Sequence, residues 1–373
     1  MTELAIPATR AETPWLFSRN LDLAVFGGSA LLAFAALVLG ARLGILHGDT
    51  PPWAWLIAIL FVDVAHVWST LFRTYLDGEE LRRRPMLYAL APIASLILGV
   101  ALYHSGALLF WRCVAYLAAF HFVRQQYGWV AVYRARGGET GRVGWWIDSC
   151  AIYAATLYPL LWWHAHLPRD FAWMMAGDFA ALPAFVANVA APLYWLALAA
   201  YAIRSIANGV PNPGKDLVVV TTALCWYIGI VALNSDYAFT VTNVLIHGIP
   251  YVALVYIHAR THAAPESLAT KLLRRGPLAL LVVVWFLAFI EEAAWDHTLW
   301  HEHAVFFGGG LSLESFAWIL APLLATPQLT HYVLDGFIWK RRWRHPQRSE
   351  GSGRAGLAAV GRTAHPDPSL RSG

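Results

Sequence analysis

Fifteen histidines stand out in this 373-residue chain, because imidazole is the common ligand of transition metals and can transfer protons near neutral pH. Six of them fall inside long apolar segments or at the end of one. They are His66, His121, His247, His258, His262 and His331. An ionisable side chain within a bilayer costs free energy and usually has a function. We therefore take these six as candidate metal ligands.

Polar side chains accompany several of these histidines at helical spacing. Asp63 precedes His66 by three residues, and Asp335 follows His331 by four. Residues three or four apart lie on the same face of a helix. A carboxylate in that position fixes the tautomer of a metal-ligating imidazole. Gln125 follows another of the six by about one turn, so we predict Asp63, Gln125 and Asp335 as supporting partners of a metal site.

The ligand types favour a metal bound by imidazole. His247 and His258 are eleven residues apart, or about three helical turns, and His262 is one turn further on. All three therefore share one helix face. Neutral imidazole suits iron, copper and zinc. The three cysteines are isolated in apolar stretches, which disfavours an iron–sulfur centre and structural disulfides.

A second histidine group lies in the sequence DHTLWHEH at 296–303. On a helix His297 and His301 would share a face, with His303 close by, and this spacing permits a surface zinc or copper site. The simpler interpretation is a loop at the membrane interface with aromatic anchors. Both interpretations stay open at the level of sequence.

The composition indicates which elements must position these residues. Apolar residues make up 58% of the chain and charged residues 13%, about half of the roughly 25% usual in a soluble domain. This excludes a disordered protein, a collagen-like protein, a coiled coil and an ordinary soluble enzyme. Excess positive charge in such a chain reports topology, not nucleic-acid binding. We predict an all-α, polytopic integral membrane helical bundle whose lipid neighbours form part of its environment.

About twenty apolar residues span a bilayer, and the chain contains ten such segments. They are roughly 22–45, 52–74, 86–104, 107–131, 144–165, 188–206, 216–234, 239–258, 277–294 and 316–338. The stretch 170–186 is apolar but short and contains Asp178, so we interpret it as re-entrant or interfacial. Ten transmembrane helices place both termini on the same side.

Basic residues define the orientation. With the N-terminus inside, all but four of the 27 Lys and Arg lie in the inner segments or the tail. The exceptions are Arg42 and Arg169 outside, and Arg112 and Arg124 within the fourth span. The positive-inside rule then predicts cytoplasmic N- and C-termini, and we expect a multi-pass protein of the bacterial inner membrane. We predict a transmembrane domain at 1–345 and, from composition, a disordered cytoplasmic tail at 346–373.

With this topology, four of the six histidines lie at one depth. His66, His121, His247 and His331 belong to four different spans and fall within a slab less than about 10 Å thick, since each residue rises about 1.5 Å. His258 and His262 lie just below, at the inner end of the eighth span. One intramembrane histidine is often only a hydrogen-bonded core residue. Four at one depth favour a shared metal site or a proton-handling site.

The order of these motifs resembles the bacteriorhodopsin-related-protein-like (Brp/Blh) family of integral-membrane β-carotene 15,15′-dioxygenases. The matching segments are His66 in DVAHVWST, His121 in AAFHFVRQQ, YIHARTH at 256–262, and His331 in ATPQLTHYVLDGFIWKRR. The resemblance implies a non-haem iron held by histidines, which uses O₂ to cleave a carotenoid into retinal. It covers about 60 residues.

Departures from the family pattern leave room for another substrate. Thr70 stands where the family has an aspartate one turn after its first histidine, and Asp63 precedes that histidine instead. Thr330 replaces a proline before the late histidine. His247 is additional, and the chain is longer.

We therefore expect a membrane-embedded, His-ligated iron (Fe²⁺) oxygenase acting with O₂ on a carotenoid, an isoprenoid or another lipid, with iron ahead of copper or zinc. One alternative is a multi-pass transporter that carries a metal ion or protons along the intramembrane histidines. Another is a haem-binding membrane electron carrier. The sequence leaves the substrate, the number of metals and the oligomeric state open.

Overall fold

The computed structural model describes residues 14–339, and all regular structure in that range is helical. Ten long helices account for most of it, one at the place of each predicted span. They are α1 (Arg19–Leu43), α2 (Pro52–Arg73), α3 (Pro85–Ser105), α4 (Ala107–Arg136), α5 (Arg142–Ala165), α6 (Ala184–Ala207), α7 (Pro213–Ala232), α8 (Asp236–His262), α9 (Pro277–Trp300) and α10 (Ala317–Ile338). Short helices at Gly78–Arg83 and Leu268–Leu273 join the long ones at one end of the bundle.

Eight of these helices, α1 to α4 and α6 to α9, are long and apolar enough to cross a membrane. The prediction of a helical membrane bundle is confirmed to that extent. The other two, α5 and α10, are long enough but are not among the eight. Ten crossings and cytoplasmic termini therefore stay predictions.

The segment between α5 and α6 is irregular, with no helix over 166–183. Asp178 replaces the missing helical hydrogen bonds locally, since one of its oxygens accepts from the backbone N–H of Trp173 and of Met174, both at 2.8 Å. Phe171, Trp173 and Phe179 pack against the apolar core. The stretch 170–186 thus contributes no spanning helix of its own.

Helix α8 lies at the centre of the bundle and is the most buried of the eight candidate spans. It packs against α1, α2, α4 and α7. Helix α10 packs on α3 and α4, and α9 packs on α2. Side chains from α2, α4, α8 and α10 can therefore meet in the interior.

Two of the helices that meet there are locally unwound. Leu56–Val64 in α2 and Thr240–Val244 in α8 are π-helical, and these segments precede His66 and His247. Such π turns re-aim the side chains that follow them and are frequent at functional sites. Gly248 permits close packing here, because a Cβ at that position would lie 2.6 Å from Val62 Cγ1.

A charged cluster joins α4, α5, α6 and α7 where their ends meet. It consists of Arg134, Glu139, Asp148, Arg204 and Lys215. Asp148 is fully buried and accepts hydrogen bonds from Arg134, from Arg204 Nη1 at 2.9 Å and from Lys215 Nζ at 2.9 Å. Lys215 Nζ also donates to both oxygens of Glu139, at 2.8 and 2.6 Å. The cluster clamps four helices together through charge-assisted bonds.

Glu139 lies outside the spans, in the turn between α4 and α5. Burial raises the pKa of its carboxyl, but hydrogen bonds from Lys215 and Asn212 and the charge of Arg134 outweigh burial and leave the pKa below its ordinary value. The ionised carboxylate therefore stabilises this end of the bundle.

The chain divides by its internal packing into Met1–Lys340 and Arg341–Gly373. The first unit holds every helix described above. The second lies outside the described residues, and so does the predicted tail at 346–373.

Candidate metal centre

Four of the six candidate histidines converge in the interior. They are His66 on α2, His121 on α4, His247 on α8 and His331 on α10, here called the histidine quartet. Their exposed fractions are 2%, 5%, 0% and 2% respectively. His247 Nε2 lies 3.2 Å from His66 Nε2, and His331 Nε2 lies 3.2 Å from His121 Nε2.

The two pairs form one cluster. The ring centroids of His66 and His331 are 4.9 Å apart, and those of His121 and His247 are 5.0 Å apart. One ligand atom each from His66, His121 and His331 lies within 4.8 Å of the others. A single ion at the centre could therefore reach imidazole nitrogens from several helices.

A directed chain of hydrogen bonds orients His331. Tyr251 donates its hydroxyl proton to Asp335 Oδ1 at 2.5 Å. Its oxygen lies 3.1 Å from Thr70 Oγ1, which lies 2.7 Å from His331 Nδ1. Since the Tyr251 proton is already used, Thr70 must donate to Tyr251 and accept from His331 Nδ1–H. This assignment of hydrogens leaves the Nε2 lone pair of His331 free.

Two other members of the quartet have a carboxylate oxygen within 4.0 Å of their Nδ1 atom, and Asp335 Oδ2 also lies 4.0 Å from His331 Nε2. His66 Nδ1 lies 3.4 Å from Asp63 Oδ1, and His121 Nδ1 lies 3.9 Å from Asp335 Oδ2. The 3.2 Å between the Nε2 atoms of each pair suits an N–H···N hydrogen bond when one ring carries its proton there, and it suits two ligands of one ion when both rings carry theirs on Nδ1. Metal–imidazole bonds of about 2.0–2.1 Å place neighbouring nitrogens about 3.0–3.4 Å apart. The donor set thus fits a metal ion.

Asp63 offers a carboxylate beside the imidazoles. Its Oδ1 is buried and has no hydrogen-bond partner, and Asp63, His66 and His247 form a second group of ligand atoms within 4.8 Å. An unpartnered buried carboxylate oxygen is costly. It is therefore available to an ion, either directly or through His66.

The structure does not bring His258 and His262 into this group. Both lie at the end of α8, where their rings stack with centroids 4.5 Å apart, and His262 is exposed. They share a face with His247, but eleven residues of helix separate His258 from it by about 16 Å. His258 instead packs against Trp339, with ring centroids 5.5 Å apart.

Gln125 supports the quartet through the backbone. Its Nε2 donates to the carbonyl oxygen of His247 at 2.8 Å, so it ties α4 to α8. It contacts no imidazole nitrogen in the hydrogen bonds of the described residues. Gln125 therefore holds the backbone of α8, whereas Asp63 and Asp335 lie beside the imidazole rings.

The outer histidines are spread along the end of α9. The helix ends at Trp300, and His301 follows with a φ of +56°, so His297 and His301 do not continue on one helical face as predicted. His303 packs against Trp55 with ring centroids 3.7 Å apart, and burial lowers the pKa of His303. In the part of the chain that the structure describes, neither group of potential ligand atoms includes these three.

Two kinds of residue near the quartet were not predicted from the sequence. Thr70 is a donor in the chain that orients His331, and its spacing of four residues after His66 was a usable signal. Glu291 and Glu292 are buried in α9, and Trp68 Nε1 donates to Glu291 Oε2 at 2.6 Å. Two adjacent acids within an apolar span could have marked a polar interior.

A cavity of about 580 Å³ reaches the quartet from the side of the bundle. It runs between α3, α4 and α10, and His121, Tyr251 and Asp335 form part of its inner wall. Leu98 and Phe120 line it and are also more than half exposed on the outer surface of the bundle. In a membrane this opening would face lipid.

Comparisons with known proteins do not assign this chain to a family. No protein-family model, curated protein or solved structure matches the chain. The fold and the site therefore define only a class, a helical membrane protein with a buried histidine cluster.

Proposed function

We propose that this protein is a membrane-embedded metal oxygenase, in which the histidine quartet holds a non-haem iron that reacts with O₂ and oxidises or cleaves a lipid. The observation that carries the proposal is the convergence of four buried imidazoles with Nε2 pairs at 3.2 Å. Carotenoids, isoprenoids and other apolar lipids are the substrate class.

The residues around the quartet have definable tasks in such a site. Thr70, Tyr251 and Asp335 hold the Nδ1 proton of His331 and so direct its Nε2 lone pair inward. Bound iron would supply the activation of O₂ that the side chains themselves lack. The four rings are almost fully buried, which limits the access of bulk water and protects reactive species from side reactions.

The side cavity supports a lipid substrate. A bilayer-soluble molecule can reach His121 through the opening beside Leu98 and Phe120 without passing through water. The volume of about 580 Å³ lies in the range of pockets that bury one small-molecule ligand. The resemblance to carotenoid dioxygenases in the histidine motifs agrees with this class of substrate and is the reason to name iron first.

Mass spectrometry of lipids and pigments tests the proposal in cells that make β-carotene and express the protein. We expect loss of carotene with gain of retinal, or another oxidised lipid, in cells with the wild type. His331→Ala should abolish the change, and His262→Ala, outside the quartet, should preserve it. Identical lipid and pigment profiles with wild type and His331→Ala would contradict the proposal.

A transporter is the second candidate, favoured by acids beside the quartet. Glu292 is buried in α9 and lies within electrostatic range of Asp63, Glu291 and Asp296. These carboxylates lead from His66 toward the end of α9 and form a potential proton or metal-ion path. Proton flux into vesicles that depends on Glu292, without lipid oxidation, would favour transport.

A haem carrier receives less support from the geometry. Two axial histidines on one haem iron need their Nε2 atoms about 4 Å apart, twice a metal–imidazole bond of about 2.0 Å. The close pairs here are 3.2 Å apart. That distance suits ligands that are neighbours around one ion.

A further inference from the structure

The side cavity contains a cation in a part of α4 where apolar residues are expected. Arg124 lines the cavity, three residues beyond His121 and near the middle of the helix. One guanidinium N–H bonds to the hydroxyl of Tyr153, and the group lies over the ring of Tyr127 at 4.9 Å. Both partners are neutral.

Arg124 has no carboxylate partner within 4.0 Å among residues 14–339. This contrasts with Arg134 on the same helix, which is paired with Asp148. Arg124 has five N–H donors in a planar fork that suits a carboxylate. A charged group within the bilayer and without a counter-ion is costly, so the site lacks one negative charge.

Another polar group of the same cavity lacks a hydrogen-bond partner. The N–H of Trp129, a donor that suits a carboxylate oxygen, is buried without a hydrogen bond, and Trp129 lines the same cavity. The far part of the cavity is apolar, with Leu102, Phe110 and Leu329 in its wall. The cavity is therefore amphipathic, with a cationic, polar region near His121 and an apolar remainder.

We propose that the cavity binds a single-chain lipid carboxylate, with the carboxylate on Arg124 and the hydrocarbon chain along α3 and α10. The complementarity of one guanidinium and one carboxylate selects the head group. The volume of about 580 Å³ selects one chain, because a diacyl phospholipid would need room for a second. The binding of this lipid does not depend on the proposed function. Only its role as the substrate of the oxidation rests on that proposal.

Binding of tritiated palmitate to the full-length protein in nanodiscs tests the inference, with hexadecanol and methyl palmitate as uncharged competitors. We expect the wild type to prefer palmitate to hexadecanol by about tenfold or more. Arg124→Gln should remove that preference, and Arg124→Lys should keep part of it. Arg112→Gln is the matched control, since Arg112 lies on the same helix outside the cavity lining and bonds to the carbonyl of Gly177.

Three results would overturn the inference. They are equal affinity of the wild type for palmitate and hexadecanol, unchanged palmitate binding in folded Arg124→Gln, and displacement of palmitate by phosphatidylglycerol at similar concentration. The comparison of palmitate with hexadecanol needs no variant, so misfolding of Arg124→Gln cannot decide it.

The assay uses neither metal nor O₂ and so separates this inference from the proposed function. Palmitate binding by a protein that holds no metal would sink the oxygenase alone. A protein that holds iron but does not prefer palmitate would sink the carboxylate site alone.

Discussion

Asp148 and His247 are equally buried, each with no exposed surface, in helices of the same bundle. Asp148 accepts hydrogen bonds from three cationic side chains in the charged cluster. His247 has no partner on Nδ1, and its Nε2 faces another imidazole at 3.2 Å. One group completes its interactions within the protein, and the other does not.

This difference distinguishes a structural cluster from a binding site. Buried polar groups cost free energy unless they are paired, and the charged cluster offsets that cost with its own opposite charges. In the quartet, imidazole nitrogens face other imidazole nitrogens, and the Nδ1 atoms of His66 and His247 have no hydrogen-bond partner. A bound ion would supply the missing partner. We therefore assign stability to the charged cluster and ligand binding to the quartet.

Asp148→Asn should have the largest effect on stability. Removing one partner of a buried charged network leaves Arg134 and Lys215 poorly compensated and costs about 3–5 kcal/mol. Unfolding in detergent measures the loss. Asp49→Asn, at an exposed position, should change stability by less than about 0.5 kcal/mol. If Asp148→Asn lowered metal content while leaving stability intact, the division between the two regions would fail.

Thr70→Val should weaken metal binding with a smaller effect on stability. It removes the acceptor for His331 Nδ1–H and breaks the chain to Tyr251 and Asp335. Loss of such an outer partner typically costs about 10–100-fold in metal affinity, which competition with a chelator measures. Thr70→Ser retains the hydroxyl and should stay near the wild type. Equal affinities for the two variants would contradict the tautomer assignment.

Glu139→Gln should destabilise the charged cluster by about 1 kcal/mol at neutral pH. The pKa of Glu139 is lowered in the folded protein, so its contribution is present above the unfolded pKa of about 4.3 and is lost as the pH falls through the folded value. The melting temperatures of wild type and variant should differ at pH 7 and converge as the pH falls through the lowered folded pKa of Glu139. A difference that persists at acid pH would assign the effect to packing.

His258→Ala and His262→Ala should have the smallest effect on metal content, less than about twofold, because the two residues lie about three and four turns along α8 from His247. Metal analysis of the purified variants checks this. A loss of metal as large as that of a quartet variant would indicate that all six histidines are ligands.

The positions of the spans and the shared depth of four histidines could be predicted from the sequence. A long helix occupies the place of each predicted span, and eight are apolar enough to cross a membrane. Depth along a helix follows from residue number alone, since each residue rises about 1.5 Å. The convergence of His66, His121, His247 and His331 agrees with that estimate.

The rotation of each helix about its axis and the partners of each side chain could not be predicted in the same way. His258 was predicted to join His247 because the two residues share a helix face. That face, however, extends along the whole helix and is longer than one site. The π-helical turns before His66 and His247 change which way those rings point, and no residue pattern in the sequence predicts these turns. Lys215 was counted with topology, and its pairing with Asp148 depends on how α5 and α7 pack.

Metal content of the purified full-length protein tests the central claim most directly. After loading with iron, zinc or copper and removal of free metal, the wild type should retain about one ion per chain, with iron supporting lipid oxidation. His66→Ala and His331→Ala should retain less than about a tenth as much while staying folded. Less than about a tenth of an ion per chain in the wild type, or full retention in both variants, would contradict the account.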